Sequence, residues 1–147
     1  MKGITLAGAL GLIFLSTSPH AQQARDFGDY VVHYNALNTD LLSPQVAQQY
    51  GIRRSPSRAM LNVTVLRKES DGPGNAMLAS VAGRAKNLTG QIRKIEFREI
   101  EESSDAIYYI GELSVRNMET FDFTVEVKPR DTAEVFTVKF RQQFYTE

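Results

Sequence analysis

Chemistry would first be sought in DYVVHYNALNTDLL, residues 29–42, which holds His33 and Asn35. An imidazole can carry a proton or ligate a metal, and a carboxamide both donates and accepts hydrogen bonds. Read as a strand, the stretch places Val31, His33, Asn35 and Leu37 on one face and Tyr30, Val32, Tyr34 and Ala36 on the other. His33 and Asn35 then stand about 7 Å apart along the chain. Neither face carries a charge, so the strand is expected to be covered on both sides. The core would cover one side, and the following helix and arginine loop the other.

Two uses of these residues compete. In the structural one, His33 and Asn35 bond to backbone groups of the irregular segment 38–58, because buried polar groups need partners. In the other, His33, Tyr34 and Asn35 form a binding site with Arg53, Arg54 or Arg58 of the loop IRRSPSR. Catalysis is disfavoured. A general base needs an orienting partner and a positioned nucleophile, and no GxSxG or HExxH string accompanies His33. Zinc asks for several His or Cys ligands. The sequence holds two His, one of them (His20) in the N-terminal segment, and no Cys. Met60, Met77 and Met118 could serve Cu(I) but sit singly on different segments, as core fillers do. Glu69, Asp71 and Asn75 are too sparse in oxygen ligands for a calcium loop. No metal and no cofactor is expected. Thiol and disulfide chemistry is excluded outright.

The elements that must position these residues follow from pattern. MKGITLAGALGLIFLSTSPHAQQ has a short basic start, an apolar run and a small residue, Ala21, at a cleavage position. That is the layout of a secretory signal peptide over 1–21, and its apolar run is short for a bilayer span. Export to the periplasm is expected, with no membrane insertion after the signal is removed. Removing 21 of the 147 residues leaves 126, enough for one domain over 22–147. The whole chain has 17 basic and 17 acidic residues; loss of Lys2 leaves 16 against 17, a net of −1. A near-neutral chain has no field to draw in nucleic acid or an anionic membrane.

Ser43, Pro44 and Gly51 mark the cap, first turn and stop of one short helix over 44–50. Beyond it the period is two. Ala59, Leu61, Val63 and Val65 share a face; so do Ile107, Tyr109, Leu113 and Val115. Phe121, Phe123, Val125, Phe136, Val138 and Phe140 are expected in the core. In GQIRKIEFREIEE, Ile95 and Phe97 oppose Ile92 and Ile100, which predicts a bulge or burial on both sides. Seven strands separated by short polar turns predict an all-β fold. The expected form is an immunoglobulin-like antiparallel sandwich, with a barrel as the alternative.

The signal peptide, FGDYVVHYNAL, LLSPQVAQQYGI, NVTV, FREI, YYIGEL and FDFTVEV together resemble an uncharacterised family of small periplasmic gammaproteobacterial proteins. That family is classed as a domain of unknown function, and its most specific string is YxVHYNA. The resemblance covers nearly all of the mature chain. It implies periplasmic residence and one all-β domain, and it assigns no catalytic residue. The expected function is a non-enzymatic binding or accessory module acting through protein contacts, with sheet edges and the 38–58 segment as its surfaces. The alternative is a small-ligand binder or enzyme centred on His33, Asn35 and the Arg53–Arg58 loop.

Overall fold

The computed structural model describes residues 23–147; the expected signal peptide, 1–21, lies outside the described residues. Its strands are β1 (Gln23–Asp26), β2 (Tyr30–Asn38), β3 (Arg58–Arg67), β4 (Asn75–Ala76), β5 (Ala79–Asn87), β6 (Ile92–Ser103), β7 (Ala106–Ser114), β8 (Glu119–Pro129) and β9 (Phe136–Phe144). The fold is all-β and every pairing is antiparallel. The seven expected strands are present as β2, β3 and β5–β9; β1 and the two-residue β4 were not expected. The order is β1-β2-β3-β7-β6-β5-β8-β9, with β4 added to β3.

One strand makes this a single ladder. The first half of β6 pairs with β5 as far as Glu96, and from Phe97 onward β6 pairs with β7. Glycines allow the crossing. A Cβ on Gly111 would collide with Cγ2 of Ile95, and one on Gly83 would stand 2.9 Å from the Phe97 ring. The bulge expected in this strand is a register shift between Glu101 and Ser103. At the far seam β2 meets β9. Nε2 of Gln142 donates to the Ala36 carbonyl at 2.8 Å, and the Tyr34 and Phe140 rings lie 4.7 Å apart. The sheet is therefore nearly closed and barrel-like, which limits its exposed edges.

The interior is the face that the period-two pattern marks. Leu61, Val63, Val65, Phe121, Phe123, Val125, Val127 and Val138 are buried. Each such side chain contributes about 1.5–3 kcal/mol by leaving water. Phe136 is buried too, while Phe140 is half-buried and stacks on Phe123 at 4.7 Å.

A second, smaller cluster lies on the opposite side of the sheet. The helix α1 (Pro44–Gln49) has Ser43 as its cap, whose Oγ accepts from the Val46 N–H at 3.2 Å. Gly51 follows with φ +63, a conformation other residues adopt at a cost. Ala47 and Ile52 pack there on Met60 and Ile110, with Leu37, Leu42 and Tyr50 at the margin. The second cover expected for β2 is thus real, and it sits over the Leu37 end of the strand.

Candidate functional site

Tyr34 faces the interior, whereas His33 and Asn35 face the outer side, as strand alternation requires. His33 pairs across the ladder with Thr64, and Asn35 with Asn62. Directly opposed residues on one face have Cβ atoms about 5 Å apart. Oδ1 of Asn35 and Oδ1 of Asn62 are both buried and have no hydrogen-bond partner among the described residues.

The arginines go elsewhere. Arg54 clamps the turn before the helix, donating from Nε to the Leu42 carbonyl at 2.7 Å and from a terminal nitrogen to Asp40 O at 3.0 Å. Arg58 pairs with Glu112 at 3.4 Å. It stands six residues along β3 from Thr64, the partner of His33, which is about 20 Å of strand. Arg53 is exposed, and its carbonyl accepts from Thr39 Oγ1 at 2.8 Å. The structure therefore brings His33 and Asn35 together with Asn62 and Thr64, and it does not bring Arg58 to them.

The hydrogen bonds that fasten segment 38–58 run from Asn38 and Thr39. Nδ2 of Asn38 donates to the carbonyls of Pro56 (2.8 Å) and Tyr145 (3.0 Å). Thr39 is fully buried; its hydroxyl reaches the carbonyls of Arg53 and Ser55 and accepts from the Ser55 N–H at 2.9 Å. Sequence reasoning passed over both residues, because nothing in NTD distinguishes a fastening polar residue from an ordinary turn.

Met60 is buried in the small cluster, Met77 is half-buried against the main core and Met118 is exposed. Among the described residues no three His, Cys, Asp or Glu side chains are grouped to hold a metal ion. Glu69 accepts from Asn75 at 2.6 Å, so that loop is closed on itself. A cleft of about 540 Å³ on the outer face is lined by Lys94, Glu96, Phe97, Arg98, Ile110 and Glu112, without His33 or Asn35.

Exposed apolar side chains gather at one end of the barrel. The large ones are Leu41, Val46, Leu88, Ile92, Met118, Val135 and Tyr145. Five of them (Leu41, Leu88, Ile92, Met118 and Tyr145) lie where β2, β5, β7 and β9 end and β6 and β8 begin. Hydrogen bonds join their turns. Asn38 reaches Tyr145 O, Gln143 reaches Met118 O at 2.9 Å, and Asn87 reaches Glu119 at 3.0 Å. Met118 is held at φ +60, an uncommon conformation for a residue with a side chain.

Fold and site together define a nearly closed antiparallel β-sheet with exposed apolar side chains at one end. The chain belongs to the DUF4426 family (Domain of unknown function), which matches residues 24–147. It is similar to a DUF4426 family protein of Pseudomonas aeruginosa PAO1, at 33% identity and a TM-score of 0.72, over 84% of this chain and 94% of that one. It is also similar in fold to FetP of uropathogenic Escherichia coli strain F11, expressed recombinantly in the periplasm, at 14% identity and a TM-score of 0.60, over 86% of this chain and 95% of that one. A copper-bound variant of FetP gives the same identity and TM-score over 85% and 95%. No curated protein matches the chain.

Proposed function

We propose that this protein is a periplasmic, non-enzymatic accessory module that docks another protein through the apolar rim of Leu41, Leu88, Ile92, Met118 and Tyr145. The rim carries the reading. Exposed apolar surface with a polar border marks interaction sites, and these side chains stand on turns at one end of the sheet, beside the 38–58 segment. Polar groups interleave with it, including Asn38, Asp40, Asn117 and Gln143. A mature charge near −1 supplies no field toward an anionic membrane, so a protein surface is the better complement. No helix among the described residues is long and apolar enough to cross a membrane. The expected signal peptide and the family resemblance support the periplasm. The two halves that meet at β6 are read as the layers of a sandwich sharing one strand.

Photo-crosslinking in periplasm tests the reading. A photoreactive side chain at position 118 should give one discrete adduct, lost when Leu41 is changed to Asp. The same group at position 135, at the opposite end, should give none. Equal labelling from both ends, or none from 118, would reject the rim as the docking surface.

The second reading, a ligand site around His33 and Asn35, is favoured by the unpartnered oxygens of Asn35 and Asn62. Copper does not come with it. A likeness of 14% identity carries the fold alone, and His33 is the single imidazole among the described residues.

A further inference from the structure

Where β6 leaves β5, the barrel has a slot. The β5–β6 pairing runs from Lys86–Ile92 to Ala82–Glu96, so Ala79–Val81 of β5 meet no strand on that side. The Ala79 N–H donates instead to the Tyr109 hydroxyl at 2.7 Å, and that hydroxyl donates to Oε1 of Glu99 at 2.7 Å. At the mouth of the slot, at the end opposite the apolar rim, lies a cleft of about 420 Å³. Met77, Leu78 and Ile107 give it apolar walls; Glu101, Arg130 and Asp131 are its charged lining. The walls are fixed by backbone bonds at 2.9 Å, from Met77 N–H to Val65 O and from Arg130 N–H to Leu78 O.

The charges are arranged unusually. Asp131 is engaged by the Tyr30 hydroxyl at 2.6 Å and by Arg67 at 3.1 Å. The Arg130 guanidinium and the Glu101 carboxylate make no ion pair among the described residues. Glu101 pairs across the ladder with buried Ile107 and is itself exposed at the cleft. A carboxylate and a guanidinium outside any ion pair among the described residues thus share one cleft with three apolar side chains.

We propose that this cleft binds the zwitterion of an apolar α-amino acid. Arg130 takes the carboxylate, Glu101 takes the ammonium, and the side chain lies on Met77, Leu78 and Ile107. The volume falls at the low end of small-ligand pockets, roughly 300–1,000 Å³. The two charges also exclude simpler ligands. A fatty acid would satisfy Arg130 but face Glu101, and an aliphatic amine the reverse. Charge-assisted hydrogen bonds are the strong ones, so each pairing should register in affinity.

Calorimetric titration of the purified mature chain with L-leucine, N-acetyl-L-leucine and L-leucinamide tests this. Leucine should bind, and each blocked analogue should bind at least about tenfold more weakly. Glu101→Gln should level leucine with N-acetyl-leucine. Arg130→Gln should level leucine with leucinamide. Both side chains are exposed, and circular dichroism confirms that the variants fold. Absence of leucine and phenylalanine binding at millimolar concentration would overturn the proposal. So would binding indifferent to the blocked groups, or unaffected by both substitutions. Rim crosslinking is read separately, so failure here leaves that docking reading standing.

Discussion

The Tyr109 hydroxyl stands between the Ala79 N–H and the Glu99 carboxylate, 2.7 Å from each. It bridges the two halves of the sheet at the point where their own ladder stops. Tyr109→Phe would keep the ring and leave a buried N–H and a carboxylate oxygen without that partner. The expected cost is about 1–3 kcal/mol. Thermal melting reads this as roughly 2–8 °C per kcal/mol for a domain of this size. An unchanged melting temperature would show that water replaces the bridge at no cost.

Alkaline stability follows from the same group. Burial first, and then the Glu99 hydrogen bond, push Tyr109 from 10.0 up to about 12. Tyr50 is also raised to about 12, chiefly by its hydrogen bond to Glu102 and then by burial. A tyrosine is neutral when protonated, so the folded state holds these protons more tightly than the unfolded state. Their contribution is whole below pH 10.0 and is lost as pH rises through about 12. Melting followed across that window should fall for the wild type and less steeply for Tyr109→Phe and Tyr50→Phe.

Gly111 has no room for a side chain. A methyl group there would meet Cγ2 of Ile95, a buried and branched side chain that cannot swing away. Gly111→Ala should destabilise by about 1–3 kcal/mol through overpacking. A second change, Ile95→Leu in the Gly111→Ala background, removes the Cγ2 branch that the methyl group meets and should recover part of that loss. Chemical denaturation of the two variants checks both.

Thr39 and the Asn35–Asn62 pair should respond in opposite directions. Thr39→Val removes a buried hydroxyl that serves Arg53, Ser55 and the Ser55 N–H. It should cost about 1–3 kcal/mol, and Thr39→Ser should cost less. Asn35→Ala and Asn62→Ala remove oxygens that have no partner among the described residues. Each should leave stability unchanged to within about 0.5 kcal/mol or raise it. A double-mutant cycle on the pair should show coupling only if the two amides bond to each other in solution. Large losses from the asparagine variants would restore these residues to the fastening role expected from the sequence.

The sequence by itself determined seven of the nine strands. Alternation in Phe121–Val127 and Ala59–Val65 has a single burial solution, because a strand that shows one apolar face must cover it. It also determined the helix, since Ser43, Pro44 and Gly51 act on their own few residues through local backbone geometry. Only the tertiary structure decided which strands pair. Pairing is a long-range choice, and the crossing of β6 depends on Gly83 and Gly111 meeting Phe97 and Ile95 from other strands. His33 and Asn35 were legible as an outward pair on an uncharged strand, but their distance from Arg58 was not. The partner of Glu99 was not legible either. Its carboxylate accepts from Tyr109, ten residues on and directly across a ladder, and only the long-range pairing of β6 with β7 brings the two together.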